Sequence, residues 1–324
     1  MKDRLYTIGE ALIDMTPSDV GCSLSEVRSF SPAIGGAPAN VAAAFAKLGG
    51  RATLLTQLGN DAFGDKIISA LADAGVTTDR ILRTSDANTA LAFVSLKADG
   101  ARDFSFFRSP SADMLYDGST LSPSDFADAF ALSFCSVSLG DFPMRDAHRR
   151  AISLAREAGA IISFDPNLRF PLWKDHDALR ATVKEFVCDA DVLKISDEEL
   201  AFITGFTDIH AALPSLFESG AKIVLYSCGA DGAYAFAANG VSAYSVAEKV
   251  KAIDTTGAGD AFLGAFLFAL CKLGISIKNL SQVSEKTLSK ALSIATVYSG
   301  ASVTAHGAIP SYPTIKEIGD RLDF

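Results

Sequence analysis

The segment Asp254-Thr255-Thr256-Gly257-Ala258-Gly259-Asp260 places carboxylates on either side of small residues and runs straight into an apolar helical stretch, Ala261–Leu270. A glycine-rich turn that opens a helix leaves backbone N–H groups unpaired at the positive end of the helix dipole. The stretch therefore predicts an anion hole. Small residues at Gly257, Ala258 and Gly259 let a phosphate approach the backbone, and Asp260 then stands near both a transferring phosphoryl group and an acceptor hydroxyl. Taken alone, Asp260 is equally suited to capping the helix. The second carboxylate, Asp254, and the small residues between the two favour Asp260 as a general base.

A second glycine turn, Gly35-Gly36-Ala37-Pro38-Ala39-Asn40, leads into an alanine-rich helix that ends at Gly49-Gly50. Proline near a helix start costs no hydrogen bond, and Asn40 carries a side chain that both donates and accepts, which suits a sugar hydroxyl. The same residues also make a good helix start with no ligand. Asp14, at the end of the first predicted strand, offers an acceptor for two vicinal hydroxyls or is a strand end in water. After another predicted strand, Asp165-Pro166-Asn167-Leu168-Arg169 ends in an arginine suited to bidentate phosphate contact. Lys194-Ile195-Ser196-Asp197-Glu198-Glu199 clusters acids at a helix start; dipole stabilisation explains part of this, and Glu199 orienting the water shell of magnesium explains the rest. Ser227, Gly229 and Gly232 form one more glycine turn after a strand, placed to pack beside a nucleotide. The chain has no G-x-x-x-x-G-K-S/T run and no G-x-G-x-x-G after a first strand, which argues against P-loop and dinucleotide folds.

The elements that must position these residues alternate. Leu5–Ile13, Ala52–Leu58, Leu132–Val137, Ile161–Asp165, Val192–Ile195 and Ile223–Ser227 read as buried strands, and Ala39–Leu48, Phe63–Ala74, Met144–Ala158 and Leu179–Val187 as helices. Such alternation predicts an α/β fold with a mostly parallel sheet covered on both faces and ligands at the carboxyl ends of its strands. One region differs. Residues 89–96 and 103–108 are β-rich and joined through Asp99-Gly100, a hairpin signal. With period-two alternation Phe104, Phe106 and Arg108 share one face and Ser105 and Phe107 the other. Apolar residues on both faces predict a flap that covers a site on one side and meets a second subunit on the other; an ordinary edge hairpin of the main sheet is the alternative.

Composition narrows the function classes. The 324 residues carry 29 basic and 38 acidic side chains, a formal charge of −9, with no basic stripe of the kind that tracks nucleic acid. The N-terminus lacks a leader pattern, and the longest apolar stretch is about half the roughly 20 residues needed to cross a bilayer. A cytoplasmic chain with no membrane contact is expected. Cys22, Cys135, Cys188, Cys228 and Cys271 are odd in number and widely spaced, which argues against a disulfide frame or a zinc site. His148, His176 and His210 read as solvated surface residues, while His306 lies in a segment of chemical interest.

Together the two glycine segments, GGAPANVA at Gly35–Ala42 and DTTGAGDAF at Asp254–Phe262, resemble the signature regions of the ribokinase-like superfamily of carbohydrate kinases, and the likeness extends over nearly the whole chain. It implies a single domain spanning residues 1–324: a three-layer sheet and helix fold, with a small β-sheet lid formed by about 16–34 and 88–110. It also implies transfer of phosphate from ATP to a primary sugar hydroxyl. GEALIDM, FFRSPSADM, FDPNLRFPLW and KISDEEL are most similar to fructokinases. By that resemblance Asp14, Gly35, Gly36, Asn40, Phe104, Phe106, Arg108 and Asp260 meet the sugar. Arg169 approaches the transferred phosphate, and Gly257, Ala258 and Gly259 supply amides. Lys194, Glu199, Ser227, Gly229 and Gly232 serve the nucleotide, with magnesium held through water by Glu199. Serine at Ser196 replaces the superfamily's usual asparagine. Potassium beside the anion hole is implied for Asp254, Thr256, Ser302, Ala305, Gly307 and Ser311. A ketodeoxygluconate kinase is the nearest alternative, and a sugar-binding regulator without catalysis is the alternative of another class.

Overall fold

The computed structural model describes residues 2–19, 21–96 and 102–322. The chain opens with β1 (Arg4–Ile8) at the centre of the main sheet, then leaves it for β2 (Leu12–Pro17) and β3 (Phe30–Gly35), which pair with each other. Helix α1 (Ala37–Lys47) returns the chain to the core, followed by β4 (Arg51–Gly59), α2 (Ala62–Asp73), β5 (Val76–Thr77) and β6 (Ile81–Thr84). A second excursion forms β7 (Leu91–Leu96) and β8 (Arg102–Phe107). Alternation then resumes: β9 (Ala129–Cys135), α3 (Pro143–Glu157), β10 (Ile161–Asp165), α4 (His176–Val187), β11 (Val192–Ser196), α5 (Asp197–Thr204), α6 (Ile209–Glu218) and β12 (Ile223–Ser227). The antiparallel pair β13 (Ala233–Ala237) and β14 (Ser242–Ser245) closes the sheet, and α7 (Ala258–Lys272) and α8 (Glu285–Ser302) complete the domain.

The main sheet runs β14-β13-β12-β11-β10-β9-β1-β4-β5, parallel from β12 to β5, with β6 beside β4. Every residue of β9 is buried, as a parallel strand covered on both faces requires. One core packs α1, α2, α7 and α8 against the sheet and the other packs α3, α4, α5 and α6. No single helix among the described residues is long and apolar enough to cross a membrane.

The predicted strand Leu5–Ile13 is two strands. At Gly9 φ is +139°, and a Cβ there would lie 2.8 Å from Pro38 Cγ, so the chain turns out of the sheet where only glycine fits. Asp14 therefore stands on the first lid strand, not at the end of β1. The small sheet, ordered β3-β2-β7-β8, is separate from the main one, so the hairpin is not an edge of it. It starts at Leu12, ahead of the boundary expected near residue 16. The Asp99-Gly100 turn falls outside the described residues, as does the side chain of Phe104.

His148 corrects another expectation. It is fully buried in the second core, its Nδ1 2.7 Å from the Met144 carbonyl and its ring 5.6 Å from that of Phe134. Burial pushes its pKa down to about 4. The signal was the stripe Met144, Ala147, His148, Ala151, Ile152 and Ala155, which places the imidazole on the apolar face of α3. His176 and His210 are exposed, as expected.

Candidate active site

Helices α1 and α7 pack side by side because their facing residues are small. A Cβ on Gly264 of α7 would lie 2.7 Å from Ala44 Cβ and 2.8 Å from the Val41 carbonyl oxygen of α1. This close approach brings both helix starts to one place, and there Asn40 Nδ2 donates to Asp260 Oδ2 at 2.9 Å. Both side chains are buried, and Asn40 Oδ1 has no hydrogen-bond partner in the chain. The other carboxylate oxygen lies 3.5 Å from Asn167 Nδ2. Asn167 itself sits at φ 45°, a left-handed conformation that asparagine tolerates. Burial pushes the Asp260 carboxyl up to about 7, against the lowering effect of the Asn40 amide.

The start of α7 is held open from behind. Gly257 has φ 74°, and a Cβ there would meet Tyr312 Oη at 2.4 Å and Ala308 Cβ at 2.6 Å; the tyrosine donates to the Gly257 carbonyl at 2.8 Å. The Ala258 amide turns back to the Thr255 carbonyl at 3.2 Å, whereas those of Gly259 and Asp260 donate to no backbone carbonyl. Lys194, buried and paired with Asp165 at 2.7 Å, comes within 3.4 Å of the position a Gly259 Cβ would take. The ammonium thus stands beside the unpaired amides at the positive end of the α7 dipole, and that combination of donors favours a phosphate.

In front of the helix starts lies a cleft of about 840 Å³ between the core and the lid. Asp14, Gly36, Asn40, Phe106, Arg108, Arg169, Asp254, Thr256, Gly257, Asp260 and Gly307 all line it. Burial raises the Asp14 carboxyl to about 6, with Arg169 opposing the rise. Such a pocket offers neutral polar contacts, carboxylates that burial pushes toward neutral pH at Asp14 and Asp260, and an adjacent anion hole, the parts list of a transfer to a hydroxyl.

The profile described as pfkB family carbohydrate kinase matches residues 2–315. This chain belongs to that family. Fructokinase-1 of Zea mays is 40% identical over 318 residues, covering 98% of this chain and 97% of the maize protein. The probable fructokinase-5 of Arabidopsis thaliana is 40% identical over 314 residues, covering 96% and 94%. Among solved structures, a fructokinase with bound ATP from Xylella fastidiosa superposes with a TM-score of 0.90 at 34% identity over the whole of both chains. A double mutant of the fructokinase from Vibrio cholerae O395, with fructose, ADP and a potassium ion bound, gives 0.85 at 32% identity over 99% of each.

In this carbohydrate kinase Gly35 lies against Asp14, whose Oδ2 would stand 2.0 Å from a Cβ placed there. Ser227, Gly229 and Gly232 are not among the residues lining the cleft; they form the β12–β13 turn further along the strand ends. Glu199 accepts from the Leu168 amide at 2.7 Å and from the Ser196 amide and hydroxyl at 3.0 and 2.9 Å, so it braces the turn carrying Arg169 and caps its own helix. Asp254 Oδ1 accepts from Thr256, and Oδ2 from the Gly307 amide at 2.8 Å, which stitches the two candidate potassium loops together. Sequence reasoning passed over Glu10, Lys66 and Asn167 as cleft residues, whereas His306, in the segment of chemical interest, lines the cleft. Asn167 carried one signal, a polar residue one position beyond the proline that follows a buried strand; Glu10, inside the predicted strand Leu5–Ile13, and Lys66, on an exposed helix face, carried none.

Proposed function

We propose that this carbohydrate kinase transfers the γ-phosphoryl group of ATP to a primary hydroxyl of fructose, with Asp260 as the base. The observation that carries the reading is the Asn40–Asp260 pair at the joined helix starts. Asn40 fixes one carboxylate oxygen of Asp260, and both residues line the cleft, so the carboxylate is held in place to meet an acceptor hydroxyl there. A bond forms between the sugar oxygen and the γ-phosphorus as the bond to the β–γ bridging oxygen breaks; the hydroxyl proton passes to Asp260 and ADP leaves. The amides of Gly259 and Asp260, with Lys194 and Arg169, meet the charge on the transferring group. Gly257 contributes by letting the chain turn there.

Fructose is favoured over a sugar acid by the names of the relatives and by Arg108, four of whose five N–H groups are held by Asp113, Ser138 and the Val137 carbonyl, which leaves a single N–H for a hydroxyl and no fork for a carboxylate. Asp14, Asn40 and Phe106 supply neutral-sugar contacts. Assayed over a panel of ketoses, aldoses and sugar acids with ATP and magnesium, the enzyme is expected to give its highest kcat/KM with fructose. A higher value for ketodeoxygluconate overturns the acceptor and leaves the kinase chemistry standing.

Magnesium enters with the nucleotide in this reading. Among the described residues no three acidic, histidine or cysteine side chains converge on a metal position, which fits an ion that keeps phosphate and water ligands, with Glu199 touching only its water shell. Asp254, Thr256, Ser302, Ala305, Gly307 and Ser311 are proposed to hold potassium, a reading supported by the Asp254 carboxylate tying Thr256 to Gly307. Activity is then higher in potassium than in sodium at equal ionic strength, and equal rates remove the site.

The outer face of the lid carries Phe30, Phe93 and Phe107, with ring centroids 5.1 and 5.2 Å apart, and Phe107 is 63% exposed. An aromatic strip with one ring exposed and two half-buried supports a homodimer formed lid to lid; a strict monomer in sedimentation at micromolar concentration overturns it. The five cysteines are all unpaired, which supports a reducing, cytoplasmic compartment.

A further inference from the structure

The lid joins the core through the connections β1–β2, β3–α1 and β6–β7 and the exit from β8. Three of these meet at two buried charged side chains. Glu10 lies in the first, and its Oε1 accepts from the amide of Ala37, the first residue of α1, at 3.2 Å. Arg108 is the residue that follows β8. Ser138 links them: its hydroxyl donates to Glu10 Oε2 at 2.7 Å and accepts from Arg108 Nη2 at 3.1 Å. Asp113, fixed by the Ser111 hydroxyl, takes Nε and Nη2 of the same guanidinium, and the Val137 carbonyl takes one N–H of Nη1 at 3.0 Å.

A guanidinium has five N–H groups in a rigid fork. Four are used by these contacts, the ring of Phe142 lies 5.7 Å from its central carbon, and Arg108 borders the cleft. We propose that Glu10, Ser138 and Asp113 are positioning residues for acceptor binding: they hold Arg108 so that its remaining Nη1–H meets the sugar, and they tie that geometry to the attitude of the lid. Stability alone is a poor reason for the network, because well-packed apolar residues stabilise a core at least as well as buried ion pairs. A supporting shell that locks a contact residue is what a specific pocket requires. The inference rests on the reading that Arg108 touches the acceptor.

Ser138→Ala tests it most gently, since it removes the shared hydroxyl and no charge; Glu10→Gln is the companion, with thermal melting to confirm that each variant folds. Each is expected to raise KM for fructose roughly three- to tenfold, the worth of about one ordinary net hydrogen bond, because the Arg108 contact is loosened and not removed, with KM for ATP unchanged. Because both act through one link, the double variant should be no worse than Glu10→Gln alone. Unchanged fructose KM in a folded Ser138→Ala and Glu10→Gln, additive effects, or an equal rise in KM for ATP each overturn the proposal. Arg108→Lys separates the two layers: if it leaves fructose KM unchanged, the contact reading itself fails, whereas a raised KM there with no effect in the other two variants overturns only the positioning roles. If the enzyme prefers another acceptor, the same comparisons apply with that sugar.

Discussion

Asp260→Asn is expected to lower turnover by roughly 10²–10⁴-fold or more, the loss seen when a positioned base is removed, and to make the protein more stable. Asparagine keeps the shape and can still accept from Asn40, so neither the pocket nor sugar affinity should change much. The stability gain follows from burial. Burial pushes the carboxyl from its ordinary value of 3.8 up to about 7 in the folded chain, so above pH 7 the folded state carries a charge that burial penalises. Removing it should be worth on the order of 2–4 kcal/mol at pH 8, and less as the pH falls through 7 towards 4, where the wild-type carboxyl takes up its proton in the folded state. Wild-type kcat/KM should correspondingly fall below about pH 7, as the base becomes protonated. Steady-state kinetics and thermal melts at pH 8 and pH 5 check both halves. A variant that retains a tenth of normal turnover refutes the base assignment, and one that melts lower at pH 8 refutes the account of the buried charge.

Gly257→Ala carries the second large effect. A non-glycine residue in the left-handed region costs about 1–2 kcal/mol, and here the added methyl also runs into Tyr312 Oη and Ala308 Cβ, both buried and unable to retreat. The start of α7 must shift, taking with it the amides of Gly259 and Asp260. Turnover should drop roughly 10²–10³-fold, the usual consequence of displacing one anion-hole donor, with a stability loss of about 2–4 kcal/mol. Gly274 is the control: its φ of 71° is nearly the same, and no atom lies within 4 Å of a Cβ placed there. Gly274→Ala should lose only the conformational part of the stability and none of the activity. Full turnover in a folded Gly257→Ala would falsify the placement of the anion hole.

Alternation of strands and helices, and therefore the layered sheet, was legible in the sequence because each element carries its own period and its own stop. Ile161–Asp165 and Ile223–Ser227 were read to the residue, since a buried parallel strand is a near-continuous apolar run that ends where a turn begins. The glycine turns before α1 and α7 were equally plain, because positive φ and close approach leave few residues to choose from. Tertiary structure decided everything that depends on which turns meet. Only the small-residue contact between α1 and α7 brings Asn40 to Asp260, residues 220 positions apart. Gly9 divides Leu5–Ile13 because Pro38 of another element occupies the space that a side chain would need. His148 looked polar in sequence, yet its helix face points inward and its charge is suppressed. Glu10 looked like an interruption in an apolar strand. It is buried because Ala37, Cys135 and Ser138, from three distant segments, supply donors that no local pattern records.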